Sequence, residues 1–272
     1  MKVFANDVAA NPAIQRIVTA FKRYSPDTME FVDTQDDADF VIIHAYGHRR
    51  QVKYRAERLQ KAGKKYAIVQ LTIRSTSNPD TADWIFTWRN AELIWSYLDL
   101  PKLCREDGVD PNFVFYFAPL GVDTDLFEEI PIPSRGYKIV VGNSRDESVA
   151  QCVNAAEGKV FHLGQGVSEQ DLVYAYSSSE YVSGLRHIEG FEMPVLEGLM
   201  CGARPISFDK PHYRHWFDEI AEFIPEGNGP EVEAFLRELF SKPVRTVTQT
   251  EKERVAYRFN WQPIIEGFWA KI

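Results

Sequence analysis

Cysteine is scarce in this chain: Cys104, Cys152 and Cys201 stand far apart in the sequence. That spacing supports neither a disulfide framework nor a zinc-binding set. Free thiols in the cytoplasm are the expectation. Long apolar runs are also missing. No stretch approaches the roughly 20 residues of a membrane helix, and MKVFANDVAANP at the start is too polar for a secretory signal. No integral membrane association is expected. Positive charge is in deficit, with 31 Lys and Arg against 39 Asp and Glu, which argues against generic nucleic-acid binding. No internal repeat and no low-complexity segment is found.

What is present describes an ordinary globular α/β chain. Its 272 residues suffice for two small domains, each with its own core. Short apolar runs alternate with amphipathic stretches. Met1 to Ala5 reads as a strand. From Asn11-Pro12 a helix puts Ile14, Ile17, Val18 and Phe21 on one face. Phe31-Val32 is a short strand and Phe40 to Ile43 a buried one, ending at His44. A polar residue at the carboxyl end of a buried strand lies where α/β sheets bind ligands, so His44 is a site candidate; a histidine that merely caps the strand is the other reading.

His48 to Lys65 holds eight cations against Glu57 alone, among them Arg49, Arg50 and Lys53. Such a run suits an anionic partner, or it is a solvated helix face. Tyr66 to Leu71 is another strand, followed by Thr72-Ile73-Arg74. Asp83 to Trp88 and Ile94 to Tyr97 concentrate aromatic residues, which belong more often to a core than to a ligand platform. Phe113 to Phe117 is a strand, and Pro131, Pro133 and Gly136 punctuate a linker.

After the linker, Lys138 to Val141 and Val160 to Leu163 read as strands. Ser168 is the N-cap of a helix that follows. Tyr181 to Leu185 is a strand, Ile188 to Met193 a loop with Gly190, and Pro194 sits in a first helical turn. Val195, Leu196, Leu199 and Met200 recur at helical spacing, Gly202 is the C-terminal stop, and Pro205 to Phe208 is a strand. Such a strand-loop-helix unit aims backbone N–H groups and the positive helix end into the loop, a natural anion site. Glu189 and Glu197 frame it, with seven residues between them. A carboxylate beside a bound diphosphate is repelled by it, so it needs another task, and accepting hydrogen bonds from sugar hydroxyls is such a task.

The run EGFEMPVLEGLMCGARPI resembles the donor-site signature of the family-four retaining glycosyltransferases, E-G-F-G-x-P-x-x-E-A-x-A-C-G-x-P-V. Glu189, Gly190, Phe191, Pro194, Glu197, Cys201 and Gly202 fall on it in register, Val195 and Leu196 occupy its open positions, and Pro205 stands one residue past its proline. Glu192 stands at the second loop glycine of that pattern and Gly198 at an alanine. His44-Ala45 and Pro119 to Phe127 resemble further family stretches, as does Phe259-Asn260-Trp261 near the end. Many family members carry T-x-H where this chain has Thr72-Ile73-Arg74. The family's G-R-x(3)-K-G, whose cations hold the diphosphate, has no cation in register after Gly142; Arg145 or Arg186 is the substitute.

The resemblance implies an α/β GT-B fold: two Rossmann-like domains facing each other across a cleft, with the last helix crossing back to the first. The expected divisions are 1–130 for the acceptor side, 131–255 for the nucleotide-sugar domain and 256–272 for the returning helix. Compact forms of this kind resemble viral enzymes. The implied activity is sugar transfer from a nucleoside-diphosphate sugar with retention. The acceptor is a glycan or a modified base in DNA. Glu189, His44 and Arg74 are the catalytic candidates. Glu197, Gly190, Phe191, Glu192, Met193, Arg145, Arg186 and Gly142 are the donor-binding ones, and Arg49, Arg50 and Lys53 lie on the acceptor side. No permanent cofactor and no metal are implied. A non-catalytic nucleotide or glycan-binding module and a sugar-nucleotide epimerase are the rival readings.

Overall fold

The structure, a computed structural model, describes residues 1–5, 12–46, 49–72, 74–75, 78–79, 81–142, 147–164, 166–186, 191–227 and 229–272. The chain divides into two units, Met1–Leu120 with Trp261–Ile272, and Gly121–Asn260.

In the first unit the chain runs through β1 (Lys2–Phe4), α1 (Pro12–Tyr24), β2 (Glu30–Phe31), β3 (Phe40–Ala45), α2 (Arg49–Lys61) and β4 (Lys65–Gln70). A small antiparallel pair follows, β5 (Arg74–Ser75) with β6 (Asn78–Pro79). Then come α3 (Thr81–Arg89), β7 (Leu93–Ser96), α4 (Leu100–Glu106) and β8 (Phe115–Phe117). The main sheet has the order β2-β1-β3-β4-β7-β8, and every pairing in it is parallel. Parallel strands covered on both faces read as continuous apolar runs rather than alternating ones. β3, Phe-Val-Ile-Ile-His-Ala, is buried at every position. The tryptophans of the aromatic concentrations are core, whereas Phe86 is exposed. Trp84 and Trp88 of α3 stack 6.1 Å apart and are buried, and Trp95 of β7 is fully buried.

The second unit contains β9 (Tyr137–Val141), α5 (Glu147–Ala155), β10 (Val160–His162), α6 (Glu169–Ser177), β11 (Ser179–Gly184), α7 (Met193–Met200), β12 (Arg204–Phe208), α8 (Pro211–Phe217), β13 (Glu222–Ile224), α9 (Gly229–Phe240) and α10 (Gln249–Arg258). Its sheet has the order β10-β9-β11-β12-β13, again all parallel. Ser168 caps α6 by accepting from the Asp171 N–H. α7 ends at Met200, and Gly202 takes the positive φ of 85° that a helix stop of this kind requires.

The last helix, α11 (Trp261–Trp269), belongs to the first unit. Phe268 meets Phe21 of α1 edge-on at 4.9 Å, and the Trp269 indole N–H donates to Ser25 Oγ at 2.6 Å. The Tyr116 hydroxyl donates to the Ile264 carbonyl at 3.0 Å. These contacts tie the end of the chain to α1 and β8.

Candidate functional site

Strand order places the site. β9 is followed by β10 on one side of it, whereas β11 lies on its other side. The strand order therefore reverses between β9 and β11. In open parallel sheets a crevice opens at such a point, outside the carboxyl ends of the two strands, and ligands bind there. Gly142 directly follows β9, and Leu185 and Arg186 directly follow β11. Arg186 Nη2 lies 3.2 Å from where a Cβ on Gly142 would stand. The guanidinium thus lies across the end of β9, a placement that a larger residue at 142 would crowd.

α7 is held hard against β11. Gly184 has no room for a side chain, since a Cβ there would meet Val195 at 2.5 Å and the Ile206 carbonyl at 3.1 Å. On the other surface of the contact, Gly198 lies over Val182. These two glycines let the helix approach the strand and bring its first turn to the crevice. Every residue of α7 except Pro194 is buried.

Glu197 points into this buried layer with 2% of its surface exposed, and the Tyr176 hydroxyl of α6 donates to its carboxylate at 3.2 Å. Cys201 lies next along; burial, with the Glu197 charge adding to it, pushes its thiol up to about 12. That cysteine is a packed side chain, not a nucleophile. Glu192 immediately precedes α7 and is also 2% exposed. The Tyr213 hydroxyl of α8 donates to it at 3.3 Å, and Arg186 Nε lies 3.8 Å from its other oxygen.

The remaining candidates fall as follows. Phe191 and Met193 are buried, and the Phe191 ring packs on Phe217 at 5.0 Å and Phe259 at 6.1 Å, so their side chains serve the core. Glu189, Gly190 and Arg145 lie outside the described residues. Arg74 is in β5 and Arg49 opens α2, but their side chains lie outside the description as well. His44 is buried in β3 opposite Val69 of β4. It belongs to the other unit.

The basic segment separates into two sets. Arg55 Nε donates to Gln35 at 2.8 Å, Lys64 Nζ to the carbonyls of Gln35 and Asp36, and Lys65 pairs with Glu92. These three cations secure α2 and β4 to their surroundings. Arg50, Lys53, Arg58 and Lys61 stand exposed, with Lys53 Nζ 5.3 Å from the Phe86 ring and Tyr54 64% exposed beside it. Partners from other elements separate the two sets, and spacing along the helix does not.

A pocket of about 630 Å³ lies at the opposite end of α7, lined by Phe127, Glu129, Arg135, Met200 and Lys252 among others. Its two cations are both bonded to Glu129 at 2.6 Å. Among the described residues, no group of three or more His, Cys, Asp or Glu is placed to hold a metal ion, and no helix is long and apolar enough to cross a membrane.

No protein-family model matches the chain, and no curated protein sequence matches it. Solved structures do. HepE from Anabaena, in complex with UDP-glucose, superposes with a TM-score of 0.72 at 12% identity, covering 100% of both chains. Sucrose-phosphate synthase from Thermosynechococcus elongatus gives 0.68 at 13% identity, over 87% of this chain and 73% of that one. The pneumococcal O-GlcNAc transferase GtfA, in complex with UDP and GlcNAc, gives 0.61 at 14%, over 85% of this chain and 56% of that one. At these identities the likeness is one of fold. The architecture is the α/β GT-B fold of these glycosyltransferases, as the resemblance in the sequence implies.

Proposed function

We propose that the protein is a retaining glycosyltransferase of the family-four type, using a nucleoside-diphosphate sugar as donor. The observation that carries this reading is the convergence at the β9–β11 switch point. Gly142 and the Arg186 guanidinium meet there, the first turn of α7 packs on Gly184 at the end of β11, and Glu197 is carried on that same helix. A diphosphate finds at this point a cation and a helix N-terminus. The solved neighbours with bound UDP make uridine the base to test first.

In this mechanism the diphosphate departs as an anion. Arg186 and the backbone N–H groups before α7 stabilise its charge, with no reorganisation at the moment of reaction. Glu197 accepts from the ribose hydroxyls, and Glu189 holds the donor sugar at its reacting face. Arg145 adds charge to the diphosphate. His44 and Arg74 are the acceptor-side catalytic candidates in this scheme. The exposed cations of α2, with Tyr54 and Phe86, favour an acceptor that carries phosphate, such as a modified base in DNA. No metal takes part in this scheme.

Calorimetry with UDP tests the reading. Glu197→Ala removes a charged hydrogen-bond partner worth about 1.5–3 kcal/mol, so UDP affinity is expected to fall by roughly 10- to 150-fold. Unchanged affinity would remove Glu197 from the site. NMR of the transfer product is expected to show the donor's anomeric configuration preserved, and inversion would rule out the family-four assignment.

A further inference from the structure

We propose that Glu192 and Tyr213 are a positioning pair for Arg186, and that they hold its guanidinium in the β9–β11 crevice as the anchor for the donor's diphosphate. This rests on the donor reading above and adds to it the device that aims the charge.

The starting point is a carboxylate in an unusual place. Glu192 occupies the N-cap position of α7, yet its side chain makes no capping hydrogen bond to that helix. It is 2% exposed. A buried carboxylate is costly unless donors satisfy it. Two other elements face it: the Tyr213 hydroxyl donates to Oε1 at 3.3 Å, and Arg186 Nε forms an ion pair with Oε2 at 3.8 Å. The Tyr213 oxygen also lies 3.3 Å from the Arg186 carbonyl. One tyrosine therefore touches both the main chain of Arg186 and the carboxylate that faces its side chain.

Tyr213 is itself fixed. It is fully buried, and Lys210 Nζ lies 6.0 Å from its ring centre. Lys210 is 7% exposed and paired with Glu226 at 2.7 Å. Glu226, Lys210, Tyr213, Glu192 and Arg186 thus form a line along the carboxyl ends of β13, β12 and β11, with charge alternating on either side of the tyrosine. Lys210, Tyr213 and Glu192 are buried. At the crevice end, the Arg186 side chain is 36% exposed. Nε faces Glu192, and Nη2 is the terminal nitrogen placed on the Gly142 side. A guanidinium N–H is a strong, charge-assisted donor to a phosphate oxygen.

Glu192 stands where the resembled pattern has a loop glycine, and that pattern's diphosphate cations follow the strand equivalent to β9. In this chain Arg186 follows β11, and Glu192 is the carboxylate that faces it. A carboxylate close to a diphosphate also repels it, so two effects of opposite sign compete. Orientation wins if the guanidinium stands between the carboxylate and the phosphates, which is the order of the groups along the line from Glu192 through Arg186 to Gly142.

The test uses the full chain, with UDP and uridine as probes in calorimetry. Glu192→Gln keeps volume and one acceptor but removes the charge, and Tyr213→Phe removes only the hydroxyl. Each is expected to weaken UDP by about tenfold and to leave uridine within about twofold of the parent. In an Arg186→Ala background, Glu192→Gln is expected to cost no further UDP affinity, because it acts through Arg186. UDP bound as well as by the parent, or more tightly, overturns the proposal, and so do equal losses for UDP and uridine. A Glu192→Gln penalty that persists without Arg186 overturns it too. If the parent itself binds no UDP, the donor reading fails and this inference fails with it; if the parent binds and the variants match it, only this inference falls.

Discussion

Replacing Gly198 with alanine sets two effects of known size against each other. Within a helix, alanine is favoured over glycine by about 1 kcal/mol. At Gly198, however, the added Cβ would stand 2.7 Å from Val182 Cβ and 3.0 Å from Cγ2, with Cγ1 closer still. Ordinary carbon contacts lie at about 3.5–4.0 Å. Rotating the valine moves its methyl groups but not its Cβ, and Val182 is fixed in β11 between β9 and β12. The relief must come from separating helix and strand. Overpacking of this kind costs about 1–3 kcal/mol, and a clash between two backbone-anchored atoms falls toward the upper end. Net destabilisation of about 1–2 kcal/mol is expected. With a urea m-value of roughly 2 kcal/mol/M, the midpoint falls by about 0.5–1 M. Val182→Ala removes the two γ carbons and leaves the Cβ contact, so in that background Gly198→Ala should cost less but still cost something. A Gly198→Ala protein as stable as its parent would refute the close approach of α7 to β11, and with it the account of how the helix reaches the crevice.

Arg204 and Glu251 give a second expectation. Arg204 is fully buried and donates to both oxygens of Glu251 and to the carbonyls of Ile220, Arg245 and Thr246. Arg204→Met leaves the carboxylate with Arg245 and Thr248 as its donors and should cost about 3 kcal/mol in denaturant melts, the low end for a broken buried pair. Burial works to raise the Glu251 carboxyl, but hydrogen bonds from Arg204 and Thr248 outweigh it and hold the pKa at about 2, against 4.5 for an ordinary glutamate. The unfolded chain therefore binds the extra proton between those values. The pair's contribution is complete above pH 4.5 and is lost as pH falls toward 2. Glu251→Gln should flatten the melting temperature over that window, and a slope equal to the parent's would contradict the assignment. On the acceptor side, binding to DNA should weaken steeply with salt, and changing Arg49, Arg50 and Lys53 to glutamate should abolish it while donor hydrolysis continues. A gel-shift titration that shows no DNA binding at low salt leaves a glycan as the acceptor.

The local grammar of the chain was enough for its class. β3 and β4 are apolar without alternation because both sheet faces are covered, and that pattern alone marks a parallel α/β protein. Ser168 and Gly202 mark helix ends by chemistry confined to a few neighbouring residues. The run from Glu189 to Gly202 resembles a family signature, and that resemblance implied the GT-B architecture. Contacts between distant segments left no such trace. Nothing near Tyr213 or Lys210 distinguishes them from other residues of an amphipathic helix. Tyr213 meets Glu192 and Arg186, and Lys210 meets Tyr213, only because a parallel sheet brings the carboxyl ends of successive strands side by side. The basic run is uniform along the sequence, yet Gln35, Asp36 and Glu92 engage three of its cations and leave others to solvent. Gly198 reads as a weak point in a helix until Val182 is seen beneath it. Periodicity and capping are set by neighbours a few residues apart. Charge pairing and close packing are set by whichever residues the fold makes neighbours, and that only the tertiary structure decides.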